Sequence, residues 1–142
     1  MKINVDKPNA LVYTNNMKKE AIRYLNNAKQ ILRHAPREGR RYTDTKPVRE
    51  ACGTAYLAVL EAINEYLVAR GLSRKELPKS FEQYQQALRK YISVHNGKLF
   101  SQFNDLYDEL HIAGYYRGLL HHVDTVRDVF NSTQQFISKL SK

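Results

Sequence analysis

The sequence predicts an all-α protein, an up-down antiparallel bundle of four to five helices, and three observations carry that prediction. Apolar residues recur at three- and four-residue spacing along most of the chain. The four prolines and six glycines fall where helices should start or stop. No run of alternating β-branched residues is long enough to read as a strand. With 42 % of its residues apolar, the 142-residue chain can build one continuous core, and the expected organisation is a single helical-bundle domain over residues 1–142.

The first helix should begin near Asp6 and Pro8, an N-cap followed by a proline suited to the first turn. Residues 1–7 are the candidate flexible end. Met17, Ala21, Leu25, Ala28, Leu32 and Ala35 then form an apolar stripe, with Lys18, Arg23 and Lys29 on other faces. Residues 36–46 read as a polar, basic loop containing Gly39. Thr45 is the expected N-cap of the second helix, and Pro47 stands in its first turn. Its stripe runs through Val48, Cys52, Ala55, Tyr56, Val59 and Ile63 and is widened by Leu57, Leu60 and Leu67. A stripe that broad belongs to the helix with the most neighbours. Gly71 should end it.

Ser80 should cap the third helix, with Glu82 in its first turn to favour the dipole and Phe81, Tyr84, Leu88, Tyr91 and Ile92 facing inward. Asn96-Gly97 is a break. The fourth helix should bury Leu99, Phe103, Leu106, Tyr107 and Leu110, and it should be interrupted at Gly114-Tyr115-Tyr116-Arg117-Gly118. The last helix should run from about His122 or Asp124 to Lys139, with Val126, Phe130 and Ile137 at near-heptad spacing. Connections this short make neighbouring helices antiparallel.

Composition narrows the function classes. The apolar run Leu57–Leu60 stops at Glu61, and Leu119–Leu120 at two histidines, so no segment is long enough to span a bilayer and no membrane role is expected. The stretch from Met1 to Pro8 has neither an apolar signal core nor a small-residue cleavage site, and a cytoplasmic location is expected. The lone cysteine, Cys52, excludes an intramolecular disulfide and a cysteine-based metal site. It shares a face with Val48, Ala55 and Val59, which predicts a buried structural thiol. The net charge is +9, and residues 1–50 hold 12 Lys and Arg against 5 Asp and Glu. An excess so placed favours phosphate or an acidic partner.

The candidate anion-binding residues are Arg37, Arg40, Arg41 and Lys46, within a seventeen-residue stretch that also holds Arg33, His34 and Arg49. Arginine suits phosphate because its planar fork gives two parallel hydrogen bonds, and Tyr42 beside it offers a ring on which a base could stack. Asp108 and His111 share a helical face, but no Glu-x-x-His occurs, and adjacent His121 and His122 would point about 100° apart on a helix. No metal and no cofactor is expected. Glu61 and Glu65 lie four residues apart on the second helix, with Arg70 near enough to counter them, and read as a solvated outer strip. Tyr115 and Tyr116 either plug the end of the bundle or line a partner surface, the plug being favoured.

At Arg117-Gly-Leu-Leu-His-His122, an arginine precedes a histidine late in a small helical bundle. This pattern, with the order and lengths of the helices, resembles the HEPN domains, bundles related to the C-terminal domain of kanamycin nucleotidyltransferase. The stretch from Leu110 to Gly118 is similar to that of small uncharacterised bacterial proteins of the same shape. In active members the resemblance implies metal-independent RNA cleavage across a homodimer cleft. Arg117 would stabilise the phosphate transition state, and His122 would act on the attacking hydroxyl or the leaving oxygen. Here the residue after the arginine is Gly118, where the active family usually has a polar one. The first expectation is therefore a HEPN-like, non-catalytic domain that binds a nucleotide, RNA or a partner protein, as a homodimer. The alternatives are a ribonuclease using Arg117 and His122, and a protein-interaction module whose basic loop meets an acidic partner.

Overall fold

The broad stripe that begins at Thr45 forms the helix around which the other elements assemble. In the computed structural model, which describes residues 10–92 and 97–141 and side chains from residue 20 onward, the elements are as follows in chain order. Helix α1 is Ala10–Arg33; a hairpin of β1 (Arg37–Glu38) and β2 (Arg41–Tyr42) follows; α2 is Thr45–Ala69. After a short turn at Arg74–Glu76 come α3 (Phe81–Ala87), which widens into π-turns over Leu88–Ile92, and α4 (Lys98–Leu106), which continues as a π-helix over Tyr107–Tyr116. The last helix, α5, is Val123–Leu140. The described residues thus form an all-α bundle of five helices with one small hairpin. The expected signals at Asp6, Pro8 and Asn96 and the side chain of Met17 lie outside the described residues.

Helix α2 starts one residue from the expected place. Asp44, in an extended conformation, is the N-cap and accepts the Lys46 N–H at 3.0 Å. Thr45 is the first helical residue, because a carboxylate answers the orphan N–H groups and the positive end of the dipole better than a hydroxyl. At the other end Gly71 takes φ +99. Its N–H bonds to Val68 O, and that of Leu72 to Leu67 O, which closes the helix in a Schellman motif. Between these caps Val48, Ala55, Val59, Ala62, Ile63 and Leu67 are buried, as the width of the stripe implies.

Three partners cover α2. Glu20 of α1 faces Glu61 of α2; since the hairpin joins the far ends of these helices, they run antiparallel. The π-helix also runs antiparallel to α2. Arg49 reaches Tyr115 and Tyr116, Cys52 touches Gly114, and Tyr56 packs on His111 and Tyr107. Helix α5 closes the core, with Phe136 6.4 Å from Phe103 between ring centroids. Helix α3 adds Phe81, whose ring lies 3.8 Å from that of Tyr107, and Ser80 caps α3 as expected by accepting the Gln83 N–H.

Two features differ from the sequence reading. Residues 36–46 hold a β-hairpin as well as the start of α2: Glu38 pairs with Arg41 across a two-residue turn whose first residue, Gly39, has φ +60. Glycine at that place matches a type II′ turn, which suits the twist of a hairpin. The fourth helical run is not interrupted at Gly114. It continues to Tyr116 in the π form, with the Arg117 N–H bonded to Ile112 O at 2.8 Å, and turns away at Gly118, φ +62. Gly114 is needed for contact, not for a break. A Cβ there would lie 2.6 Å from Cys52 Sγ and 2.7 Å from Cys52 Cβ, so only glycine lets the π-helix approach α2 this closely.

Gly114→Ala should therefore destabilise the fold by about 1–3 kcal/mol through overpacking. Cys52→Ala in the same chain should restore part of the loss, since it removes Sγ and leaves Cβ. Urea unfolding of the single and double variants measures both; a Gly114→Ala protein as stable as the parent would contradict the contact.

Candidate functional site

The basic hairpin and the Arg117–His122 connection are far apart in sequence, and the fold joins them. The Tyr42 N–H bonds to His121 O at 2.8 Å and the Val123 N–H to Arg40 O at 3.0 Å. These bonds flank an antiparallel bridge between Arg41 and His122. Because the bonds are made by the residues on either side, Arg41 and His122 form the non-hydrogen-bonded kind of pair. In that kind the side chains lie closest, with Cβ atoms roughly 4.5–5.5 Å apart. Glu38, the partner of Arg41 within the hairpin, continues the same outward row. Arg41 and His122 are both exposed.

Around this pair the candidate residues divide by what holds them. Arg40 is engaged: its guanidinium meets Asp124 in the first turn of α5 through both Nε, at 3.0 Å, and Nη2. Arg49 donates from Nε to Tyr115 O and from Nη2 to Tyr116 O, both at 2.8 Å, and so answers the negative end of the π-helix. Gly118 packs on the same side chain, where a Cβ would come within 3.1 Å of Arg49 Cδ. Arg37, Lys46 and Arg117 are exposed. Tyr42 is buried instead of presented to solvent, and burial is the main cause that raises its hydroxyl pKa; it is not available to stack on a base. Arg117 caps the π-helix end while His122 stands as N-cap of α5, so the two do not share one helix.

The remaining candidates also find definite places. His111 stacks between Tyr56, at 5.0 Å, and Tyr115, at 5.9 Å. Among the described residues, no group of three or more His, Cys, Asp or Glu gathers as a metal site requires. The Glu61–Glu65 strip is not solvated. Glu65 is 2 % exposed and Glu61 half-buried, because α2 is enclosed on more sides than a two-faced helix would be. Burial, and then the charge of Glu20, raise the Glu61 carboxyl above its ordinary range. Arg70 lies over the Tyr66 ring and donates to its hydroxyl at 2.6 Å. Tyr115 and Tyr116 do not plug the bundle; they are 47 % and 70 % exposed.

What sequence reasoning missed is a groove. Tyr115 lies against Gly53 of α2, where a Cβ would fall 2.8 Å from its ring. Beside it, Leu57, Leu60, Tyr56 and His111 line a cleft of about 550 Å³. Through Glu50 and Tyr115 it continues into a second depression bordered by Thr45, Lys46, Arg49 and Tyr116. Leu57, read from the sequence as widening the buried stripe of α2, is instead 46 % exposed, while Leu67 is buried as expected.

Residues 16–142 match the family model described as a domain of unknown function, DUF5618. The chain belongs to that family. A solved structure similar to this DUF5618 chain is that of a protein of unknown function from Dyadobacter fermentans. It is 30 % identical, with a TM-score of 0.73, and the match covers 89 % of this chain and 94 % of that one. No curated protein matches the sequence. Among the described residues, no helix of this DUF5618 protein is long and apolar enough to cross a membrane.

Cys52 is fully buried, and burial pushes its thiol up to about 12. Iodoacetamide at mildly alkaline pH should leave Cys52 unmodified in the folded protein and label it once guanidinium unfolds the chain. Rapid labelling of the native protein, read by intact mass, would contradict the buried thiol.

Proposed function

We propose that the hairpin and the segment leading into α5 form one cationic surface that binds RNA through its phosphates, in a HEPN-like helical domain without catalysis of its own. The close cross-strand pair of Arg41 and His122 carries this reading. It sets a guanidinium beside an imidazole on the exposed face, with Glu38 in the same row and Arg117 as a further exposed cation of the segment leading into α5. Arg40, held by Asp124, braces the hairpin against α5. The net charge of +9 supports a polyanionic partner over a neutral one. RNA is preferred to a free nucleotide because Arg41 and His122 stand exposed on a strand surface.

The same pair favours a second reading, metal-independent RNA cleavage. An imidazole next to a cation is suited to proton transfer at a bound phosphodiester, with His122 as the acid–base group and Arg41, the cation beside it, taking the charge-stabilising part expected of Arg117.

Fluorescence anisotropy with a labelled single-stranded RNA separates the outcomes. Binding should weaken steeply with salt, and Arg41→Glu with Arg117→Glu should lower affinity and reduce the log–log salt slope by about 1 for each cation removed. Absence of binding, or binding indifferent to salt and to both substitutions, would overturn the reading. Degradation of the RNA in EDTA that His122→Ala abolishes would replace it with the ribonuclease.

A further inference from the structure

The groove between α2 and the π-helix is separate from the hairpin surface, and its two ends differ in character. At the inner end the wall is aromatic. Tyr107, His111 and Tyr115 follow one another at four-residue spacing, so their rings line up along one edge of the π-helix; the His111 and Tyr115 rings are nearly parallel, at 11°. Tyr56 closes the floor against His111, and Leu57 and Leu60 form the opposite wall. Gly53 leaves room for the Tyr115 ring to approach α2, where a Cβ would fall 2.8 Å from Cδ1. Leu57 and Tyr115 are about half exposed, so an apolar surface faces water here.

At the outer end the groove meets the first turn of α2. Lys46 and Arg49 stand there with Thr45, and Tyr116 forms the rim. Arg49 donates to two backbone carbonyls, which fixes its charge in place. Lys46 is exposed, and its side chain makes no hydrogen bond or ion pair among the described residues. Glu50 lies between the two ends and is the acidic group of the lining. Two cations, Lys46 and Arg49, stand against one carboxylate of the lining, Glu50, and Lys46 is the one not engaged by the protein; the positive end of the α2 dipole is already answered by Asp44. Cleft volumes of about 550 and 760 Å³ fall in the range of small-molecule sites.

We propose that this groove binds a small organic anion with a flat aromatic body, the rings lying against Tyr115, His111 and Leu57 and the negative group meeting Lys46. The aromatic wall favours a planar aromatic body, since ring edges and the Leu57 side chain pack against a ligand's face. The cation at the open end selects anions and holds them where water still reaches the charged group, so neither partner is left buried and unpaired. The site goes beyond the RNA reading and does not depend on it, because Leu57 and Leu60 have no place in phosphate binding by the hairpin.

Anilinonaphthalene sulfonate, a flat aromatic anion, is a direct probe, with the neutral N-phenylnaphthylamine as its comparison. The folded protein should bind the sulfonate saturably at one site and more tightly than the neutral compound. Leu57→Asp and Tyr115→Ala should remove most of the fluorescence, and Lys46→Gln should weaken sulfonate binding several-fold while leaving the neutral probe unchanged. Helical circular dichroism on each variant keeps loss of the site apart from loss of the fold, and Lys46→Gln, at an exposed position, tests the site with the fold intact. Arg41→Glu should leave sulfonate binding as it was, and Leu57→Asp should leave RNA binding as it was, so failure of one reading is distinguishable from failure of the other. Sulfonate binding that survives Leu57→Asp in the folded protein would overturn the site. Equal affinity for the neutral probe, or indifference to Lys46→Gln, would overturn the anion.

Discussion

Two backbone hydrogen bonds, from Tyr42 to His121 and from Val123 to Arg40, tie the hairpin after the first helix to the start of the last one. Each is modest alone, about 1 kcal/mol net. Their importance is geometric. They hold His122 beside β2 in an isolated bridge, settle the direction in which α5 enters the bundle, and bring together two basic segments separated by some eighty residues of chain. The Arg40–Asp124 ion pair reinforces the same junction, though an exposed pair contributes only about 0–1 kcal/mol. Tyr42 turns inward beneath the junction, which leaves Arg41 facing outward by the alternation of a strand.

The packing around α2 has a second constraint, the close approach of the π-helix. A helix with wider turns is unusual over ten residues. Here it is accompanied by Gly114 pressed on Cys52 and Tyr115 laid on Gly53, so glycines on both helices take part in the contact. Of the carbonyls at its end, those of Ile112 and Ala113 are answered by the Arg117 and Leu119 N–H groups, and those of Tyr115 and Tyr116 by Arg49 from α2. The groove follows directly from this arrangement. A side chain at residue 53 would push Tyr115 away from α2, and the aromatic wall of the groove would shift with it.

The helices were largely legible from the sequence because burial leaves a three- and four-residue signature, and the caps at Ser80 and Gly71 follow from local chemistry. The hairpin was not legible as such: strands of two residues have no period, and the partner of Arg41 lies at the other end of the chain. Gly114 read as a breaker because glycine in a helix more often signals an end than a contact, and only the position of Cys52 distinguishes the two. Glu65 read as solvated because its neighbours on α2 did not disclose how many elements surround that helix. Of the site, the candidate residues could be named but not their pairing, and Arg40 and Arg49 could not be recognised as structural.

The hairpin and the lead into α5 act as one anion-binding surface in this account, and chemical-shift mapping tests that most directly. In a titration of the labelled protein with a short single-stranded RNA, the amides of Arg41, His122 and their neighbours should move together, with one shared affinity. Shifts that cluster elsewhere on the bundle, or that affect the hairpin while leaving residues 117–123 unmoved, would contradict it.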